Sequence, residues 1–475
     1  MEQFVTAANS IMWSLPMVVG LLALGLYFTI RMAAPQVRLL RDMVGQLVRG
    51  GSSSAGISSF QSFAMALGGR IGVGNIAGVA AAIYLGGPGA LFWMWVTAIL
   101  GAPVALVESS LAQLYKHKVR GEYRGGPAYY IRDGLGAKWL AAVFAVAITV
   151  TYGFVFNAVQ SNSISESVQA NWGASSTTAW IVGLGLAALT GLVIFGGVRR
   201  LSAVTNVLVP AMATFYIFLA LIVMVVNITE VPGMIALIVG HAFGLREVAG
   251  AAVGMTMVMQ GVRRGMFSNE AGMGSAPNAA ATAAVSHPAK QGFVQSLGVY
   301  FDTLIVCSAT AFVILLSNPA YGRGEAIGMQ VTQGALQQAV GAWAGPALTV
   351  IIFFLAWSSV LGNTYYGEAN IRYLAGRHAG PAITVFRVLV LVCVVGGALG
   401  SVALVWNLAD TFAALMATIN LVAIIPLGGL AVKLLRDYER KLKAGMDPGF
   451  HLSDLPEARN VALWRDEPKT SPLQD

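Results

Sequence analysis

The sequence predicts an all-α polytopic membrane protein. Over 475 residues, 56% are hydrophobic and 11% are charged, with mean hydropathy +0.70. A soluble domain carries about 25% charged residues, so this chain lacks the charge to coat a soluble globule. The apolar runs are continuous, and many reach the roughly 20 residues that cross a bilayer as a helix. Strands of a membrane barrel would instead alternate in segments of about 10 residues. Helices also satisfy their own backbone hydrogen bonds, which lipid requires.

Eleven spans are expected, at 11–31, 57–85, 88–115, 138–162, 178–197, 203–228, 248–275, 292–316, 345–374, 383–402 and 406–432. The run 230–247 is shorter and reads as a surface or re-entrant helix. The first ten residues, "MEQFVTAANS", hold no basic segment, so the first run reads as a retained span and not a cleaved signal. With the N-terminus outside, 24 of the 29 Lys and Arg fall inside, in 31–50, 116–138, 199–200, Lys290, 372–387 and 433–469. Outside are Arg246 and Arg323; Arg70, Arg263 and Arg264 lie within spans. This asymmetry sets the N-terminus outside and the C-terminus in the cytoplasm. The net charge of +8 and pI near 9.5 are then loop lysine and arginine, not a nucleic-acid surface. Cys307 and Cys393 sit in apolar runs and read as structural thiols.

Two spans are interrupted by glycine and polar residues. The second holds "GGRIGVGNIAG" (68–78) and the seventh "QGVRRGMFSNEAGMGSAP" (260–277). They lie five spans apart, so they cross in opposite senses. That is the pattern of two inverted five-helix repeats, each opening with a broken helix. The expected organisation is one transmembrane domain over 1–435. It comprises an extra helix (11–31), a first repeat (57–228) and a second, inverted repeat (248–432), followed by a cytoplasmic tail (436–475). The glycines do not form a dinucleotide fingerprint, because "GVGNIAG" is one residue too long and has no βαβ setting.

An unwound segment inside a membrane must face a cavity or a ligand. Its free carbonyls suit a small hard cation, and half-helix N-termini suit a carboxylate. Glycine lets a ligand approach the backbone closely; its ordinary role in a span is close helix packing. Gln160, in "FNAVQSNSISES", lines a pocket or bonds a neighbouring helix. Ser358 and Ser359 either bond back to their own helix or offer hydroxyls to a cation. Asn363 lies one turn further on. The carboxylates Glu108, Glu270, Asp302, Glu368 and Asp410 mark ion pathways or pair with Arg70, Arg263 and Arg264. His241 and His287 lie near span ends, where an interfacial role is expected. No HExxH, CxxC or GxSxG motif occurs, so an enzyme is not expected.

The segments "RIGVGNIAGVAAAIYLGGPGALFWMWV" (70–96), "GGPAYYIRDGLG" (125–136), "RRGMFSNEAGMGSAP" (263–277) and "LGNTYYGEANIRYL" (361–374) resemble the alanine/glycine:cation symporter family, the sodium:alanine symporters. The resemblance covers about 10–435. It implies a leucine-transporter-type fold, a 5+5 inverted repeat with one extra N-terminal helix, and cation-coupled uptake of alanine or glycine at a bacterial inner membrane. It implies that Gly72, Gly74 and Asn75 hold the charged ends of the amino acid and that Gln160, Ser359 and Asn363 face it. In the seventh span Gln260, Met266 and Phe267 are the corresponding candidates. The carbonyls of Gly68 and Ile71 with the hydroxyls of Ser358 and Ser359 would form a sodium site. The chain departs from the family pattern at Val73, where threonine is usual, and at Asn363, where a large aromatic can stand. Both positions bear on the choice between alanine and glycine.

The expected function is therefore sodium-coupled import of small neutral amino acids by alternating access. No cofactor is expected beyond sodium as the coupling ion. The partners are the amino acid, sodium and membrane lipid, with the monomer as the functional unit. The alternatives are proton coupling or a passive pore, which would not need two inverted breaks. A sensor would carry a signalling domain larger than residues 433–475.

Overall fold

The computed structural model describes residues 2–49, 56–244, 251–317, 321 and 329–464. Arg246, Arg323, the start of the seventh expected span, the end of the run 230–247 and the tail beyond 464 lie outside the described residues. The chain is helical nearly throughout. α1 (Leu15–Arg31) precedes α2 (Ser59–Arg70), α3 (Ala77–Gly86), α4 (Ala90–Leu114) and α5 (Lys138–Trp172). α6 (Ser176–Ile194), α7 (Gly197–Val226) and α8 (Val231–Ala242) follow. The second half holds α9 (Ala251–Asn269), α10 (Ala276–Ala280), α11 (Pro288–Leu316) and α12 (Met329–Val340). It closes with α13 (Ala344–Ala375), α14 (Ala379–Leu399) and α15 (Val402–Lys443).

Among the described residues, eight helices are long and apolar enough to cross a membrane, and α2 with α3 makes a ninth if counted as one bent span. The chain is thus a multi-pass helical membrane protein. Two of the eleven expected spans do not pass on length and composition, for visible reasons. α1 is a 17-residue apolar helix. α9 carries Gln260, Arg263 and Arg264 within its 19 residues.

Both expected breaks are present as geometry. Ser58 starts α2 with a capping box: its hydroxyl accepts from the Gln61 N–H (3.1 Å), and Gln61 Oε1 accepts from the Ser58 N–H (3.0 Å). α2 stops at Arg70. A single 3-10 turn, Val73–Asn75, intervenes, and α3 leaves at 63° to α2. α9 stops at Asn269, after which Glu270 (φ 57°), Gly272 (φ 85°) and Gly274 (φ 77°) take left-handed conformations before α10. Two further helices widen to π geometry in mid-course, α5 over Thr151–Phe156 and α11 over Phe301–Cys307. Such widening often accompanies functional sites.

Charged groups inside the bundle are mostly paired. Arg264 holds Asp410 through two bonds of 3.0 and 2.9 Å, and Arg263 reaches the same carboxylate at 3.5 Å. Arg387 grips Glu368 at 2.6 and 3.0 Å. Arg70 is buried and donates to the Gln295 carbonyl (3.2 Å). Its charge attracts Glu108, Glu270 and Asp302.

The stretch expected as a separate tail, 436–475, is helical as far as Lys443. Residues 444–464 then pack back on the bundle. Phe450 N–H donates to the Ser286 carbonyl (2.8 Å), Trp464 Nε1 to the Gln113 carbonyl (3.0 Å), and Asn460 to the Asp133 carbonyl (3.1 Å). The Lys116 amine lies 4.9 Å above the Trp464 ring and 4.1 Å above that of Tyr123. Tyr123 belongs to a short hairpin, β1 (His117–Val119) and β2 (Glu122–Arg124), turned by Arg120 and Gly121 at positive φ.

Candidate functional site

The first break leaves backbone without helical partners, and side chains from several other helices meet it. Position 72, just past the end of α2, has room only for glycine: a Cβ there would collide with Ser359 Oγ and come within 2.8 Å of Gln160 Oε1. With no Cβ, the chain passes between α13 and α5. Gln160 Oε1 accepts from the Val73 N–H (3.2 Å). Ser359 Oγ donates to the Ile71 carbonyl and to its own-helix carbonyl at Leu355, both at 3.1 Å. Ser358 Oγ bonds back to Leu355 (2.7 Å), and its carbonyl lies near Gly68. Gly68, Ile71, Gly72, Gln160, Ser358 and Ser359 are thus brought together. A chain carbonyl and two hydroxyls gathered in this way are hard oxygen donors of the kind a sodium ion takes.

Asn75 ties the turn to the other half of the molecule. Its Oδ1 accepts from the Gly72 N–H (3.0 Å), which closes the turn on itself. Its Nδ2 donates to Ser268 Oγ (3.0 Å) and Asp302 Oδ1 (2.6 Å), and reaches Cys307 Sγ at 3.4 Å. Ser268 Oγ in turn donates to Asp302, which also accepts from Thr303 (3.0 Å). The carboxylate therefore has three polar partners in a fully buried place, the condition under which a buried charge is tolerated. Asp302 and Cys307 both lie in the π-widened segment of α11. Ser268 stands beyond the expected site, and Asp302 was legible only as one of five intramembrane carboxylates.

The remaining expected residues divide. Phe267 lies over Gly74, whose added Cβ would sit 3.0 Å from the ring, and it packs on Phe156 (4.9 Å) and Trp406 (5.2 Å). Asn363 is buried one turn along α13 from Ser359, and neither side-chain polar atom has a partner among the described residues. Orphaned buried amide groups are rare unless something else meets them. Gln260 lies two turns before Phe267, against Gly86, with a buried Oε1 that also lacks a partner among the described residues. Met266 faces another way, into a small cleft with Leu21, Leu100 and Leu421. One residue is about 100° of helix rotation, so Met266 and Phe267 cannot share a face.

Known proteins give the same answer along nearly the whole chain. The family model for the sodium:alanine symporter family matches residues 1–452. The chain belongs to the sodium:alanine symporter family. The amino-acid carrier protein AlsT of Bacillus subtilis is 48% identical, with 94% of each chain covered. The probable sodium/glutamine symporter GlnT of the same organism is 47% identical, over 98% of this chain and 96% of that one. The sodium/alanine symporter AgcS of Methanococcus maripaludis is 37% identical, over 90% and 95%. A sodium:alanine symporter family member is a membrane transporter, not an enzyme.

Proposed function

We propose that this chain is a sodium-coupled symporter that imports small neutral amino acids, alanine or glycine, by alternating access. The observation that carries the reading is the buried, non-helical backbone at 71–73, faced at hydrogen-bond distance by Ser359 and Gln160 from two different helices. Gly72, Gly74 and Asn75 hold the charged ends of the amino acid. Gln160, Ser359, Asn363 and Phe267 bound its pocket, with Gln260 further along α9. Met266 supports α9 from behind. The carbonyls of Gly68 and Ile71 and the hydroxyls of Ser358 and Ser359 take sodium after a small rotation of the two hydroxyls.

In this reading the chain crosses a bacterial inner membrane eleven times, N-terminus outside and C-terminus in the cytoplasm. The extra helix precedes two inverted repeats, 57–228 and 248–432, and the monomer is the working unit. Sodium joins α2 to α13 and the amino acid fills the space between the breaks, so each ligand raises the other's affinity. The relatives support an amino-acid substrate without agreeing on which: one is described for alanine and another for glutamine.

The test is uptake of labelled alanine and glycine into proteoliposomes under imposed gradients. Uptake driven by inward sodium, and by no proton gradient alone, is expected. Uptake driven by protons alone would replace sodium as the coupling ion, and uptake indifferent to both would sink symport.

A further inference from the structure

A second polar space lies away from the breaks. A cavity of about 450 Å3 opens at the far end of α5. Asn162, Ser165, Glu166 and Gln169 line one wall. Their spacing of 0, 3, 4 and 7 puts them in one stripe on the helix. The opposite wall receives the starts of three other helices: Ser176 of α6, Gln330 of α12 and Val402 of α15.

Glu166 is the one carboxylate on this wall, and none of the described lining residues is basic. It is 8% exposed. Its Oε1 accepts a long bond from the Gln330 N–H (3.4 Å), while Oε2 has no partner among the described residues. Asn162 Oδ1 is also buried and without one, its Nδ2 being committed to the Gly397 and Gly400 carbonyls (2.9 and 2.8 Å). With no basic partner among the described residues, a carboxylate withdrawn from water is costly, and an arriving cation relieves that cost.

The space is far larger than a bare ion needs, and it is polar at both ends. The first-turn N–H groups of a helix have no intrahelical acceptor and carry partial positive charge. At α6 the Ser175 hydroxyl caps only the Thr178 N–H (3.0 Å), which leaves the preceding turn to a ligand. A cation-seeking carboxylate facing an anion-seeking helix start is complementary to a zwitterion. Along α5, Glu166 stands six residues beyond Gln160, roughly 9 Å of helix.

We propose that this cavity is a loading site for a free amino-acid zwitterion, with its ammonium on Glu166 and Asn162 and its carboxylate at the start of α6. The site rests on the transport reading above, and on the lysine and arginine distribution that puts this end of α5 outside. It concentrates substrate ahead of the broken turn.

The test is Glu166→Gln in proteoliposomes with labelled alanine and a sodium gradient. Losing a charge-assisted hydrogen bond weakens binding about tenfold or more, so KM should rise about tenfold with Vmax nearly unchanged, and Glu166→Asp should restore most of the affinity. An unchanged KM, or a fall in Vmax alone, overturns the proposal. A shift confined to the sodium dependence would make Glu166 an ion site and overturn it equally. Alanine binding to the purified protein separates this from failure of symport. Wild-type protein that drives no uptake should still bind alanine in a Glu166-dependent way, and equal binding by wild type and Glu166→Gln refutes the loading site. If Glu166→Gln does not fold, Asn162→Ala, expected to weaken binding in the same direction, takes its place.

Discussion

The Asn75 side-chain amide donates to the Asp302 carboxylate across 2.6 Å, joining the turn of the first break to a helix 227 residues later. The same nitrogen reaches Ser268 beside the second break. One side chain therefore couples both interrupted helices to α11.

Asp302→Asn should keep the fold and cut transport. A hydrogen bond to a buried charged group contributes about 1.5–3 kcal/mol, so a reduction of roughly tenfold or more in Vmax/KM for alanine is expected. Asn75→Asp should be worse, because it sets two carboxylates face to face. Uptake assays paired with thermal melts distinguish this from misfolding. Wild-type uptake by Asp302→Asn would detach this cluster from function.

Gly72→Ala should abolish uptake. The new methyl group has nowhere to go between Ser359 and Gln160, and displacing either one breaks the contacts at 71–73. Gly429→Ala is the control, since nothing lies within 4 Å of its added Cβ. Comparable uptake by both variants would show that the close approach at Gly72 has no role.

Asp410→Asn should lower stability far more than loss of an exposed pair. It leaves the buried Arg264, and the half-buried Arg263 beside it, without their carboxylate, and breaking a buried pair costs about 3–5 kcal/mol. Lys433→Ala, which removes the exposed partner of Glu457, should leave the melting temperature where it was. The two midpoints in one detergent decide the matter.

Lys116 sets a pH dependence. Burial pushes its amine from the usual 10.5 down to about 7. Between those values the unfolded chain holds a proton that the folded chain has released, so stability rises with pH across that window and is lowest below pH 7. Lys116→Met should flatten the slope. A melting temperature that climbs equally in wild type and variant between pH 7 and 10 would assign the slope to other groups.

Much of this architecture is legible in the sequence, and the reasons differ by region. The turn at 72–76 shows because glycine and asparagine stand against an apolar background, where every polar residue is conspicuous. That the arginines within spans pair with some of the five carboxylates follows from the cost of lone charges in lipid, although the choice of Asp410 for Arg264 does not. Which face of α9 meets the turn cannot be read from its residues, since Met266 and Phe267 are both apolar neighbours on a helix of unknown rotation. Ser268 and Asp302 are not legible as partners because they stand on two helices whose relative rotation the sequence does not give, and the π widening of α11 has no mark in "FDTLIVC". The packing of Phe450, Leu455, Val461 and Trp464 is hidden for another reason. The first three are buried and Trp464 is half-buried, all without regular secondary structure, and so without a period to detect.

The turn at Gly72 also limits how selectivity can be changed. Its polar groups belong to the main chain, which substitution does not alter, and a side chain at position 72 meets Ser359 and Gln160 at once. A mutant library aimed at the turn would mostly return dead variants. Diversity placed on the opposing surfaces, at Asn363 and Gln260, whose side chains do not bond the turn, leaves that backbone intact while reshaping what it faces. New substrate preferences should be recovered there, and a designer of such a transporter would keep the loop and vary its walls.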